Sequence, residues 1–559
     1  QRAFESLFWA AAAALINTTL LATAMAMLGI YHFWLLLAIQ YAEILIIAFV
    51  AARKRVLYPP KAFFLRLKSY HFRILPAIIL VIAFALYALF PSNFMMSGRD
   101  QGIYIIHGIH ISESGKYAYD SDEFLNENYH QHWRMIQLGY PAFQANYSRV
   151  KNIPEYTEFP FGEAFKDSDY GDMTPQFMPA FPALLAVGYD IGGLSALFRV
   201  NSVVAIFSLL ALYYFARRFF GKKTACIALL FLAFCPAQIW TARITLTEIL
   251  AQFFFFTASY LFAAGWEKER KSTSFLGGML LGVSVLARID TYIYGLGLLF
   301  VAAYLAIWNR RKFSYLLPGV YAYSALAIFS GLWALIYVRA YFVDLFRSGS
   351  LKLIIFATIA LWTIVLFCAI LGYFLNRKKE RKDWMSAVFA HRLGAICIAG
   401  AFILACVYLY FVRPLPTIQV EGTFSNQSET MRQLQRIFYS RSLIEFSWYT
   451  SVTAVLFSIF GLYRFLRNKR GKVSRLLVFF ALSISNLMVY LYNPSIYPDH
   501  IWVSRRWLGV CMPFIFLLAA YGIAQIKIPK IRRLGNLIAR GISLLIITVF
   551  LIYQSLPFL

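Results

Sequence analysis

The chain has 559 residues, of which 60% are hydrophobic and only 14% charged, against roughly 45–50% apolar and about 25% charged in a soluble domain. With a mean hydropathy of +0.62, this balance excludes a soluble enzyme and calls for many membrane spans, because a bilayer core tolerates polar side chains only when they pair or face protein. A net charge of +27 excludes little by itself; in a membrane protein the question is where the basic residues sit.

In chain order, apolar runs predict helices over 8–29, 33–51, 74–91, 200–216, 224–240, 243–264, 275–289, 291–308, 315–338, 351–374, 393–412, 445–463, 476–491, 507–525 and 541–557. The runs are continuous rather than alternating, so a β-barrel is excluded and the class is all-α polytopic, with about 14–15 spans. If alternate loops are cytoplasmic, they carry 34 of the 53 Lys and Arg residues. The positive-inside rule then puts the N-terminus inside and the loops 92–199, 413–444 and 492–506 outside. The organisation expected is a two-helix segment (1–73), a catalytic membrane core (74–310) and a C-terminal set of helices (311–559).

One apolar stretch, Phe177 to Phe198, fits poorly as a crossing, since counting it would invert every later loop. Its prolines (Pro175, Pro179, Pro182) suit a re-entrant or interfacial helix. The runs 275–289 and 291–308 meet at Arg288-Ile289-Asp290, a charged turn expected near the outer surface or in a cavity reached from it. The segment 92–173 holds twelve of the 26 acids against six Lys and Arg, and a loop of that length is more often functional than decorative. No internal repeat of the kind common in secondary transporters is visible. All six cysteines fall in apolar runs, leaving no disulfide pattern or Cys-rich metal site. The chain begins at Gln1 without a cleavable signal pattern.

Just past the third span comes Ser97-Gly98-Arg99-Asp100-Gln101-Gly102-Ile103-Tyr104, followed by His107 and His110. A helix starting at Asp100 would put Asp100, Tyr104 and His107 on one face. An acid at the water-membrane boundary suits a general base, because partial desolvation tunes its proton affinity; an N-capping Asp is the other reading. The last sizeable external loop contains His500-Ile501-Trp502-Val503-Ser504-Arg505-Arg506-Trp507. Adjacent arginines where a loop meets a span are placed to hold a lipid phosphate, since the guanidinium fork matches phosphate oxygens. Interfacial anchoring by Trp and Arg together is the alternative. The pairs Asp120/Asp122 and Asp167/Asp169 could bind a divalent ion but read better as solvated turns, and no metal site is predicted. The sequons at Asn146 and Asn426 are short chance patterns.

An acid directly after a span followed by a Pro-rich surface helix resembles the GT-C superfamily of polyprenyl-phosphate-sugar-dependent glycosyltransferases. The runs Arg199 to Gly221, Phe234-Cys235-Pro236 and Thr241 to Glu248 look like the stretch shared by protein O-mannosyltransferases and lipid A aminoarabinose transferases, with the likeness covering about residues 74–300. The resemblance implies that Asp100 acts on the acceptor nucleophile, although the second acid usual beside it is Gln101 here. It also matches Thr247-Glu248 to a polar step at the outer end of a span; Glu248 could instead pair with Arg243. The function expected is an inverting glycosyltransferase with Asp100 as base and Arg505 and Arg506 on the donor phosphate. Tyr104, His107, Glu248, Arg288, Asp290, His500 and Trp502 are expected to line its cavity. Its partners would be a polyprenyl-phosphate sugar, a glycan, lipid or protein acceptor, and membrane lipids. No nucleic acid and no cofactor are expected, in line with the lack of a P-loop or dinucleotide fingerprint. A bacterial or archaeal plasma membrane is the expected location, there being no retention signal at Leu556 to Leu559. The rival is a transporter or flippase of a lipid-linked glycan, which would carry charges through the bilayer midplane rather than at one face.

Overall fold

The computed structural model describes residues 2–53, 74–95, 100–118, 176–347, 350–375, 392–415, 427–468, 473–496, 500–526 and 533–558. Most of the acidic segment lies outside them, including Asp120, Asp122, Asp167 and Asp169, as do both sequon asparagines, Asn146 and Asn426. The regular elements among the described residues are all helical. Each predicted apolar run falls on a helix. Among the described residues, eleven helices are long and apolar enough to cross a membrane, or up to fourteen if each of three bent pairs counts as one span; Ile74–Ala88 and Lys271–Ala287 are apolar but shorter.

Three predicted spans turn out to be bent. Lys222–Ala233 meets Pro236–Arg243 at 61°, Ser442–Thr450 meets Val452–Asn468 at 93°, and Trp502–Leu508 meets Cys511–Ala524 at 60°. At the first bend Cys235 is extended and Pro236, lacking an N–H, opens the next helix. At the second, Ser451 sits at φ 68°, outside the right-handed helical region. The Phe177 to Phe198 stretch contains the helix Ala180–Leu197, which has the length and composition of a span. Its backbone leaves the helical region at Gly192 and Gly193, however. Neither piece alone provides the roughly 20 residues that a crossing needs.

A single apolar core runs from Phe8 near one end of the chain to Leu551 near the other. Helices cross closely where glycine permits it. A Cβ on Gly278 would collide with the Gly319 carbonyl, and one on Gly461 with the Leu518 carbonyl. Lys271–Ala287 thus lies directly against Arg310–Tyr337, and Val452–Asn468 against Cys511–Ala524, the small-residue packing usual in lipid.

Helix breaks free backbone carbonyls that a nonpolar surrounding leaves without water, and buried amides satisfy them here. The Asn201 side-chain nitrogen lies 2.8, 2.7 and 2.9 Å from the carbonyls of Thr241, Ile244 and Leu246. It therefore braces the break that precedes Glu248. Gln252, one turn further along the helix Glu248–Gly265, donates to the Leu508 carbonyl at 2.8 Å. It braces the break that follows Arg505–Leu508.

Candidate active site

Helices from distant parts of the chain bring their charged ends to one place. The helix Asp100–Ser114 starts on Asp100, and Thr245 ties it to the neighbouring break by donating to the Gln101 carbonyl at 3.0 Å. Glu248 opens its helix, Arg288 follows Lys271–Ala287, and Asp290 lies in the short turn Ile289–Tyr292. Arg505 and Arg506 open the four-residue helix before the last bend.

These residues form an alternating chain of charges. Arg505 donates through Nη1 to Asp100 Oδ2 at 2.6 Å and through Nε to Glu248 Oε1. Arg288 Nη1 also reaches Glu248 Oε1, at 2.5 Å. Its Nη2 and Nε hold Asp290 at 2.6 and 2.9 Å, and Nη1 lies 3.1 Å from Thr247 Oγ1. Arg506 Nη1 donates to Asp290 Oδ2 at 2.6 Å, and the Tyr490 hydroxyl donates to the same oxygen at 2.9 Å. Three guanidiniums face three carboxylates, which fits the rule that buried charges persist only when paired. Glu248 is 1% exposed, whereas Asp100 is 31% exposed.

The chain of charges lines part of a cavity of about 1690 Å³. Asp100, Tyr104, Thr247, Arg288, Asp290, Tyr341, Tyr490, Trp502, Arg505 and Arg506 form its polar mouth. Leu351, Ile354, Ile398, Phe402, Leu462 and Leu487 are among the side chains of its apolar wall. On the helix Val452–Asn468 that wall runs from Val455 to Leu466, about 16 Å at 1.5 Å per residue. That is half the thickness of a hydrocarbon core. Trp502 covers the Arg505 guanidinium with its ring at 4.2 Å, a cation–π contact that also shields the charge from water. Burial, together with the negative charge of Asp100, holds the hydroxyls of Tyr104 and Tyr341 protonated well above the usual phenol range. Both are therefore neutral donors at the mouth.

Seven of the ten residues named from the sequence line the cavity: Asp100, Tyr104, Arg288, Asp290, Trp502, Arg505 and Arg506. Three do not. Glu248 sits behind the lining, where its carboxylate pairs with the lining residues Arg505 and Arg288, so it is not a cavity residue; nor does it pair with Arg243, whose Nε donates to the Leu86 carbonyl. His107 is fully buried against Tyr117, with stacked rings 5.6 Å apart, because the helix packs that part of its face on protein rather than on the cavity. His500 lies outside the cavity, its ring against Trp448 and its Nδ1 3.2 Å from the Tyr449 hydroxyl. Trp507 is no interface anchor either: it is fully buried and donates to the Tyr490 carbonyl. Sequence reading missed Tyr341 and Tyr490. Tyr490 stands in the run Leu487-Met488-Val489-Tyr490-Leu491, where only its polar tip near the helix end gave a signal.

Fold and site together define a polytopic helical membrane protein with a charged mouth on an apolar trough. Residues 175–337 match the family described as dolichyl-phosphate-mannose-protein mannosyltransferase. That stretch, under a third of the chain, contains Thr247, Glu248, Arg288 and Asp290, while Asp100, Tyr490, Arg505 and Arg506 lie outside it. The GT-C resemblance read from the sequence stands on this match, which starts later than residue 74 and extends past residue 300. No curated relative matches the chain. Among solved structures, the chain is similar to the apo oligosaccharyltransferase of Archaeoglobus fulgidus, with 14% identity over 88% of this chain and 56% of that one and a TM-score of 0.49. It is also similar to ArnT from Cupriavidus metallidurans bound to undecaprenyl phosphate, with 13% identity over 86% and 84% and a TM-score of 0.31. The chain therefore spans about half the length of the oligosaccharyltransferase, and at these scores both likenesses are remote.

Proposed function

We propose that this protein is an inverting glycosyltransferase of the membrane, moving a monosaccharide from a polyprenyl-phosphate donor to an acceptor hydroxyl at the outer face of a bacterial or archaeal plasma membrane. The observation that carries this reading is the cavity itself: a mouth of arginines and carboxylates continuous with an apolar trough. A ligand complementary to both ends has an anionic head and a long hydrocarbon tail, which describes a lipid-linked phosphate sugar. The family match over 175–337 supports the same chemistry.

In the proposed reaction the acceptor oxygen attacks the anomeric carbon from the face opposite the phosphate. The bond between that carbon and the phosphate oxygen breaks, and its electron pair leaves with the phosphate. Asp100 takes the hydroxyl proton, and Arg505 and Arg506 stabilise the charge gathering on the leaving group. The proposed step calls on no cofactor. The acceptor is a glycan, a lipid or a protein.

The test is transfer of a labelled sugar from a panel of synthetic polyprenyl-phosphate sugars by the purified protein in detergent, with Asp100→Asn beside the parent. Donor consumption by the parent, lost in Asp100→Asn while donor still binds, is the expected result. If no donor is consumed while the lipid binds and crosses a vesicle bilayer, a flippase replaces the transferase.

A further inference from the structure

Resting on that reading, we propose that Arg505 is held alternately by Asp100 and by the donor phosphate, so that donor binding releases the base and must come before acceptor deprotonation. Each of the three guanidiniums at the mouth already holds a carboxylate: Arg505 holds Asp100 and Glu248, Arg288 holds Glu248 and Asp290, and Arg506 holds Asp290. The six charges cancel. None of the three guanidiniums is without an acid, so although Arg506 Nε has no hydrogen-bond partner among the described residues, an arriving phosphate competes for positive charge with one of the three acids.

The acids are not equally easy to displace. Glu248 is enclosed between two guanidiniums at 1% exposure, and freeing it would strand a buried carboxylate. Asp290 is gripped by Arg288, Arg506 and Tyr490 together. Asp100, at 31% exposure, has a single ion pair among the described residues, to Arg505 Nη1, and water can replace it. The exchange therefore falls on Asp100, while Nε stays on Glu248 and keeps Arg505 in position. Before the exchange Asp100 Oδ2 is occupied by the Arg505 guanidinium at 2.6 Å. Afterwards that oxygen is free to accept a hydrogen bond from the acceptor hydroxyl. The donor thus switches on the base that its own transfer requires.

This makes an unusual forecast: removing the acid strengthens phosphate binding. The experiment titrates the full-length protein in detergent with a synthetic polyprenyl monophosphate and with the polyprenol of equal length. It compares the parent with Asp100→Asn and, as a second route to the same loss of charge, Asp100→Ser. The expected result is about 3- to 10-fold tighter binding of the phosphate by both variants, the worth of one partly exposed ion pair, with polyprenol binding unchanged. Equal or weaker phosphate binding in a variant that elutes as a folded monodisperse species overturns the proposal. An equal gain for the alcohol also overturns it, since that would reflect a more open cavity. A parent that prefers the alcohol to the phosphate removes the donor-site reading itself, a failure separate from the other two.

Discussion

Glu248 and Asp100 grip the same guanidinium from opposite sides, one in the wall and one at the mouth. The wall side is sealed: Glu248 has two arginines and almost no exposure. The mouth side is open: among the described residues Asp100 has one arginine, and it lines the cavity. Two carboxylates in one network thus do different work because of enclosure. A sealed acid that loses a partner leaves an uncompensated charge, so it organises the arginines. An open acid can exchange partners for water, substrate or phosphate, which suits it to the base role proposed for Asp100.

That contrast can be broken by substitution, and the sealed side should respond most. Glu248→Ala is expected to cost about 3–5 kcal/mol of stability, since it leaves Arg505 and Arg288 short of a buried counter-charge; thermal unfolding in detergent measures it, and a cost below about 1 kcal/mol would put wall and mouth on a par. Asp100→Asn reverses the profile, with a stability cost of about 1 kcal/mol or less and a fall in sugar transfer of at least about 100-fold. Transfer at the parent rate would remove Asp100 from the reaction. Asn201→Ala leaves the carbonyls of Thr241, Ile244 and Leu246 without their amide, for an expected loss of about 1–3 kcal/mol. Faster hydrogen exchange in 241–250 than elsewhere would locate that loss at the break that carries Glu248.

The smallest effect comes from pH. Burial, reinforced by nearby His110, pushes the His107 imidazole down to about 3, while in the unfolded chain it titrates near 6.5. Between those values the unfolded state binds a proton that the folded state refuses. Stability is therefore complete above pH 6.5 and declines as pH falls, by about 1–2 kcal/mol at pH 5. Unfolding temperatures of the parent and His107→Gln across pH 5 to 7 check this, and the variant should show a flatter slope.

How much of this was legible in the sequence depended on the kind of residue. Hydropathy found the long apolar helices, because twenty apolar residues in a row have few other uses, but not the polar helices Arg339–Arg347 and Gln427–Ser440. It could not find the bends, since an average over 445–463 is the same whether or not the chain turns by 93° at Ser451. Pro236 was a visible mark of the first bend; Ser451 and Val510 gave none. Charged residues at span ends were readable as a site because charge is costly there, and Asp100, Arg288, Asp290, Arg505 and Arg506 do converge. Which side of a wall a residue occupies was not readable. Glu248 follows the cavity-lining Thr247 and His107 shares its helix with the cavity-lining Tyr104, yet both are buried in protein, and Tyr490 joins the network from inside an apolar run. Those outcomes are set by helix rotation and by distant partners such as Arg505, 257 residues from Glu248, and Asp290, 200 residues from Tyr490.

The Asp100–Arg505 contact joins residues 405 positions apart. At about 5–20 residues per second of synthesis, Arg505 is made some 20–80 s after Asp100. During that interval the first carboxylate stands at the membrane with its eventual partner not yet translated. The contact can close only when nearly the whole chain has been inserted, so it also marks completed assembly: a product truncated before Arg505 lacks this partner of Asp100.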